Sequence, residues 1–233
     1  MKLQGILGGG TGKLGESVFT NNAGRTIVRQ YNPHVRNPRT VRQQNSRGRF
    51  TVASELAKQF ALALKIGMPR IGALTSRNRF TSMVIPTSAN VINLTGNELV
   101  PDYSVMPLSK GGMPAVPVVD VQVDTTSSGL RVTLSEAYNP VNSGYVPPMA
   151  GAAGLVVVLS SSTTKESVVR QLPVTTGLEY VISDVVVAGG VYDHAHIFAK
   201  WVPDSYNDIT SSNLPWKFPS DQSATVSSSI EGI

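Results

Sequence analysis

No cysteine occurs in the 233 residues, so neither a disulfide nor a thiolate metal site can hold this fold together. Charge is scarce as well: only 15% of the residues are Asp, Glu, Lys or Arg, well below the usual quarter of a soluble domain. Ser, Thr, Asn and Gly must therefore cover much of the surface. No apolar run approaches a membrane span, and the opening MKLQGILGGG lacks the apolar stretch of a signal peptide, which predicts synthesis in the cytoplasm. Acidic residues are almost missing from the first third. Residues 1–80 carry 14 Lys and Arg against Glu16 and Glu55 alone, a net +12, whereas residues 81–233 carry six against 13, a net −7. A basic front and an acidic back suggest attraction between copies, or toward another acidic partner.

The glycine cluster LGGGTGKLGES at residues 7–17 invites a nucleotide reading, which its spacing refuses. A phosphate-cradling Walker loop would need glycine where Leu7 stands and a hydroxyl where Leu14 stands. Gly10, Gly12 and Gly15 match dinucleotide spacing, but too few residues precede them to form the buried strand that motif requires. No nucleotide or other cofactor is expected. Small glycines here let the backbone approach another surface.

Residues 1–39, rich in Gly, Asn and Pro, predict an extended basic arm with one hairpin turning at Asn22 to Gly24. Thr40 and Gln43 have capping-box spacing, and the sequence suits a helix from Val41 to Ile66 that only Gly48 interrupts. Its buried stripe would be Ala53, Leu56, Ala57, Phe60 and Leu64. A second helix is expected over 76–84 behind Thr75, and a third, short one near 88–94, making 40–100 a helical region. From Tyr103 onward, β-branched and alternating runs (VPVVDVQVD, LRVTLSE, GLVVVLS, ESVVRQLPV, LEYVISDVVV, VYDHAHIFAKWV) predict strands. With Tyr103–Leu108 they number about seven, the count of an immunoglobulin-like antiparallel β-sandwich over 101–202, so the expected class is α+β. The Ser-rich tail 203–233 should wander unless a neighbour holds it.

The segments QGILGGGTGKLG, NPRTVRQQNSRGRF and TGNELVPDYSVMPLSKGGM, in that order, resemble an uncharacterised family of Bacteroidota genomes and their phages. Its members share a Gly-rich start, an Asn-Pro-Arg-Thr segment, helices and an Ig-like end. The chain departs from that pattern at Gly10 and Thr11, where the family has an aromatic-Ser pair, and in lacking a tryptophan after the first hairpin. The resemblance supplies no catalytic residues; it implies a virion component, either a capsid auxiliary protein or part of a neck or tail ring.

Among candidate site residues the series Arg25, Arg29, Arg36, Arg39, Arg42, Arg47 and Arg49 stands out, because guanidinium forks grip carboxylates and phosphates bidentately. Single-strand nucleic-acid modules interleave aromatics for base stacking, and only Tyr31 and Phe50 lie nearby. A protein partner is favoured over nucleic acid, with the acidic β region of a neighbouring copy as one candidate. Phe50 would add apolar area, and Trp201, Trp216 and Phe218 would either close the sandwich or anchor in a neighbour. His194 and His196 fall on one strand face with ligand spacing but no third ligand, Asp193 pointing away, so no metal is expected. Asp120 and Asp124 read as a solvated pair on one face. No Gly-x-Ser-x-Gly elbow occurs, and the chain reads as a non-enzyme. Two other readings use the same features: a nucleic-acid module built on the arginines, and a host or glycan adhesion module built on the sandwich.

Overall fold

The computed structural model describes residues 11–22, 25–34, 39–95, 98–124, 126, 129–147, 150–183, 191–203 and 222–230. The chain is α+β with antiparallel sheets, and it divides into two compact units, Met1–Asn45 and Ser46–Ile233. This division differs from the four expected segments: the helices and the large sheets form one body because they share a core.

In the first unit the expected single hairpin is a three-stranded antiparallel sheet of β1 (Gly12–Leu14), β2 (Ser17–Asn22) and β3 (Arg25–Gln30). Gly15, in the left-handed region at φ 59°, makes the first turn, and the Tyr31 N–H donates to the Glu16 carbonyl at 2.6 Å to close the ladder. Helix α1 (Val41–Gln59) starts where expected: the Gln43 N–H donates to Thr40 Oγ1 at 3.4 Å and the Gln44 N–H to the Thr40 carbonyl at 3.0 Å.

In the second unit the long helix is broken at Phe60, not at Gly48, and resumes as α2 (Ala61–Gly67). Phe60 is wholly buried between the rings of Tyr103 and His196, at 6.2 and 5.4 Å, and this anchoring falls where the helix bends. Gly48 instead serves packing: a Cβ there would stand 2.7 Å from Leu99 Cδ1. Helix α3 (Ser76–Val84) keeps its expected bounds, with Thr75 Oγ1 accepting from the Asn78 N–H at 3.2 Å. The expected third helix is absent. Thr87–Ala89 makes one 3-10 turn, and β4 (Ile92–Thr95) then pairs with β5 (Glu98–Pro101) in a hairpin. Nor is Tyr103–Leu108 a strand: Asp102 caps a 3-10 turn at Tyr103–Val105, and the buried residues Tyr103, Met106 and Leu108 do not alternate.

The remaining strands are β6 (Val118–Val123), β7 (Leu130–Leu134), β8 (Gly151–Ser160), β9 (Ser167–Pro173), β10 (Glu179–Ile182), β11 (His194–Pro203) and β12 (Val226–Ser229). They form two sheets, ordered β10-β7-β6 and β12-β11-β8-β9. One core joins them, with Val121, Leu130, Val132 and Ile182 of the first sheet facing Leu155, Val157, Leu159, Ile197 and Ala199 of the second. The opposite face of the second sheet carries Val156, Val158 and Phe198 into a second core with Ala53, Leu56, Phe60, Leu64, Phe80 and Val84 from the helices. Strands β8 and β11 are thus buried on both sides, which is why GLVVVL and AHIFAK lack solvent-facing positions.

The tail corrects an expectation. Residues 222–230 return to the second unit: β12 pairs with β11, the Met113 N–H donates to the Gln222 carbonyl at 3.0 Å and the Ser223 N–H to the Ala199 carbonyl at 2.9 Å. Ser223 suits burial because its hydroxyl finds main-chain partners, accepting from the Ala199 N–H at 2.8 Å and donating to the Ala224 carbonyl at 3.0 Å. Gly111 lets this segment pass, since a Cβ there would lie 2.2 Å from the Gln222 carbonyl oxygen. Gly111→Ala should therefore lower stability by about 1–3 kcal/mol, as overpacking does. Denaturant unfolding with a midpoint equal to wild type would contradict the close approach. Phe198→Ala should cost about 3–5 kcal/mol by the same measurement.

Candidate functional site

Cross-strand register sorts the side chains of the first sheet. Lys13 lies opposite Val18, which lies opposite Arg29, and Thr20 lies opposite Ile27. Lys13, Arg25, Ile27 and Arg29 consequently share one face, whereas Leu14, Phe19 and Val28 share the other. Both faces carry exposed side chains: Leu14 is 62% exposed, and Ile27, Val28, Arg25 and Arg29 are all exposed. Lys13 Nζ stands 3.6 Å from the centre of the Tyr31 ring, a cation–π contact that braces the basic face.

Arg39, Arg42 and Arg47 are exposed at the start of α1 and along it, while Arg36 lies outside the described residues. Arg49 is structural, its Nη1 donating to the Ile92 carbonyl at 2.9 Å and tying the β4–β5 hairpin to α1. Phe50 is 58% exposed rather than part of the helical stripe, because none of the described elements packs against it. Trp201 is buried beside Tyr145, with ring centres 5.8 Å apart, which makes it part of the core the two sheets share rather than an exposed anchor. Trp216 and Phe218 lie outside the described residues.

The histidine pair divides between two environments. His196 has no exposed surface; its Nε2 is 2.9 Å from Ser160 Oγ and its Nδ1 is 2.8 Å from Ser227 Oγ. Ser227 also donates to the Met106 carbonyl at 3.4 Å, so the arrangement that satisfies every group has Nδ1–H donating to Ser227 and Ser160 donating to Nε2. No lone pair is left for a metal, and no carboxylate bonds the ring to make it a base. Burial pushes His196 down to about 3, with the nearby His194 charge adding to the effect and Asp193 opposing it. Asp193 does not point away as expected: its Oδ1 lies 2.9 Å from His194 Nδ1, and it accepts from the Ser162 main chain and hydroxyl. Burial raises its pKa, but those hydrogen bonds outweigh it and hold the carboxyl below its usual value. Here the carboxylate sits between serine and histidine, the wrong order for a nucleophilic triad. Among the described residues no group of three or more metal-ligating side chains occurs.

Asp124 also departs from its expectation. It is buried and accepts from Arg131 Nη2 at 2.8 Å, and Arg131 reaches Glu179 at 3.4 Å, so this carboxylate ties β6, β7 and β10 together. Asp120, on the regular part of the same ladder, is only half-buried, its Oδ1 accepting from the Val121 N–H at 2.7 Å.

Sequence reasoning missed a groove of about 630 Å³ in the second unit. Val52, Glu55, Leu56, Lys58 and Gln59 of α1 form one wall, all four residues of β5 form the other, and Tyr103, Ser162 and Lys165 complete it. Tyr103 donates to Gln59 Oε1 at 3.0 Å, and Gln59 Nε2 donates to the Ser161 carbonyl at 3.1 Å, fixing the closed end. Comparison with protein-family models, with curated proteins and with solved structures finds no match for this chain.

His196 generates a pH prediction. Its folded value lies below the unfolded value of 6.5, so the stability of the neutral ring is complete above pH 6.5 and is lost as pH falls toward 3. Stability should fall by about 1.4 kcal/mol per pH unit across much of that window. Asp193 acts only below the ordinary carboxylate range, so the part above pH 4 isolates His196. His196→Phe should flatten the urea-midpoint profile between pH 6.5 and 4; an unchanged slope would exclude His196 as its source.

Proposed function

We propose that the chain is a non-enzymatic structural protein of a phage particle, a capsid auxiliary protein or a neck or tail ring component, that joins an assembly through its basic N-terminal arm. One observation carries the reading: among the described residues the β1–β3 sheet has no core of its own, with Lys13, Arg25 and Arg29 exposed on one face and Leu14 and Val28 exposed beside a half-buried Phe19 on the other. An isolated small sheet is marginal in water, and burial against a partner would supply what its own chain does not. The cationic face gives that encounter speed and orientation toward acidic surface. The virion setting rests on the family resemblance of the Gly-rich start and the Asn-Pro-Arg-Thr segment.

The immunoglobulin-like assignment belongs to the same proposal. In Ig lettering, β6, β7 and β10 would be strands A, B and E, while β8, β9, β11 and β12 would be C, C′, F and G; the order E-B-A facing G-F-C-C′ supports it. The helices packed on the outer face of the second sheet would be an addition to that plan.

Incorporation into particles tests the reading. The full-length K13E/R25E/R29E variant should keep its melting temperature while losing most of its incorporation; undiminished incorporation overturns the arm hypothesis. Binding of the wild-type chain to duplex DNA, with log affinity falling linearly against log salt, would move the assignment to the nucleic-acid reading.

A further inference from the structure

The open edge of β5 has a definite polarity. Within the β4–β5 hairpin the Asp102 N–H donates to the Val91 carbonyl at 2.8 Å, which makes those opposed residues a hydrogen-bonded pair. Ladder alternation then makes Asn93 with Val100 and Thr95 with Glu98 the other bonded pairs. Leu99 and Pro101 therefore direct their main-chain groups away from β4, and among the described residues no strand pairs with that edge. Proline, which has no N–H to offer, stands where edge strands tolerate it. The edge borders the groove beside α1, whose apolar wall is the partly buried Val52 with Leu56 behind it.

Strand β3 is also an edge, and the same reasoning fixes its polarity. The Tyr31 N–H bond to Glu16 makes that opposed pair hydrogen-bonded, so Thr26, Val28 and Gln30 direct their main-chain groups away from β2. Val28 is 42% exposed and Ile27 is 48% exposed, with arginines on either side. The groove's lining balances Glu55 and Glu98 against Lys58 and Lys165, and along β5 itself the carboxylates of Glu98 and Asp102 stand at the two ends of the strand.

We propose that β3 of a second copy adds antiparallel to the free edge of β5, with Val28 opposite Leu99. In this register Arg29 faces Glu98, Ile27 faces Val100 and Arg25 faces Asp102. Among the antiparallel registers that bring outward-pointing residues together, only this one sets both arginines against carboxylates. Val28, on the Leu99 side of the new ladder, enters the groove toward Val52 and Leu56, and Ile27 covers Val100, itself 43% exposed. Asp102 keeps its turn cap, because a carboxylate has acceptor sites beyond those used by Ser104. Main-chain bonds hold the added strand and the charged pairs select its register. The inference deepens the assembly role and rests on it, naming the arm's partner as the groove of another copy.

The absence of native cysteine makes a direct test clean. Ile27 and Val100 would form a non-hydrogen-bonded pair, with Cα atoms about 4.5 Å apart, inside the range a disulfide spans. Full-length I27C mixed with full-length V100C should give a disulfide-linked dimer under mild oxidation. In sedimentation velocity, E98R and R29E should each weaken self-association several-fold, and E98R mixed with R29E should recover it. Glu98 is exposed, so E98R should melt as wild type does and report on binding alone. Monomers at every concentration, association indifferent to E98R, or cross-linking of an I27C/V100C chain only within itself would each overturn the proposal. If R25E/R29E abolishes association while E98R and V100C leave it intact, this register falls and the assembly role stands. Normal particle incorporation of R25E/R29E removes the assembly role itself.

Discussion

Everything in the second unit hangs on the double burial of β8 and β11. Their odd-numbered side chains meet the first sheet across one core, and their even-numbered side chains meet the helices across another. A strand pair covered on both faces has no polar side to spare, so each polar group it carries must be bonded within the protein. His196 is the clearest case: it lies on the helix-facing side of β11, kept neutral by burial and bonded by a serine at each ring nitrogen. One of those serines comes from β12, so the C-terminal strand is held by the same polar group that its presence helps to bury.

That dependence explains why a Ser-rich segment folds. Hydroxyls at Ser223, Thr225 and Ser227 bond the main chain or side chains of residues 109, 199 and 196, turning a composition associated with disorder into a strap. The first unit has nothing comparable. Its three strands pair with one another but bury little, and Arg25 and Arg29 are exposed on one face. The contrast is the physical basis for the proposal that the arm contacts other subunits.

Local signals read cleanly where local chemistry decides. Thr40 and Thr75 bond the first-turn amides of their helices as their spacing implied, and the stripe Ala53, Leu56, Ala57, Phe60, Leu64 is buried. Errors came where a distant partner decides instead. Residues 88–94 suited a helix by composition, yet Ile92–Thr95 pairs with Glu98–Pro101. Trp201 was ambiguous as a single aromatic on a strand, and burial beside Tyr145 resolved it. The basic face of Lys13, Arg25 and Arg29 was half legible, since the arginines were plain but their common face needed the ladder register. The groove was not legible at all, because its walls come from segments about forty residues apart or more.

By itself the sequence determined the charge asymmetry, the helix caps, the β-branched runs and the lack of any covalent staple, since each depends on residue type and near neighbours. Only the tertiary structure decided that β8 and β11 are covered twice, that residues 222–230 return to β11, and that among the described residues β5 and β3 each have one edge without a strand partner. Those outcomes depend on which segments meet, and such contacts form only after the entropy of closing long loops has been overcome by burial across the whole core.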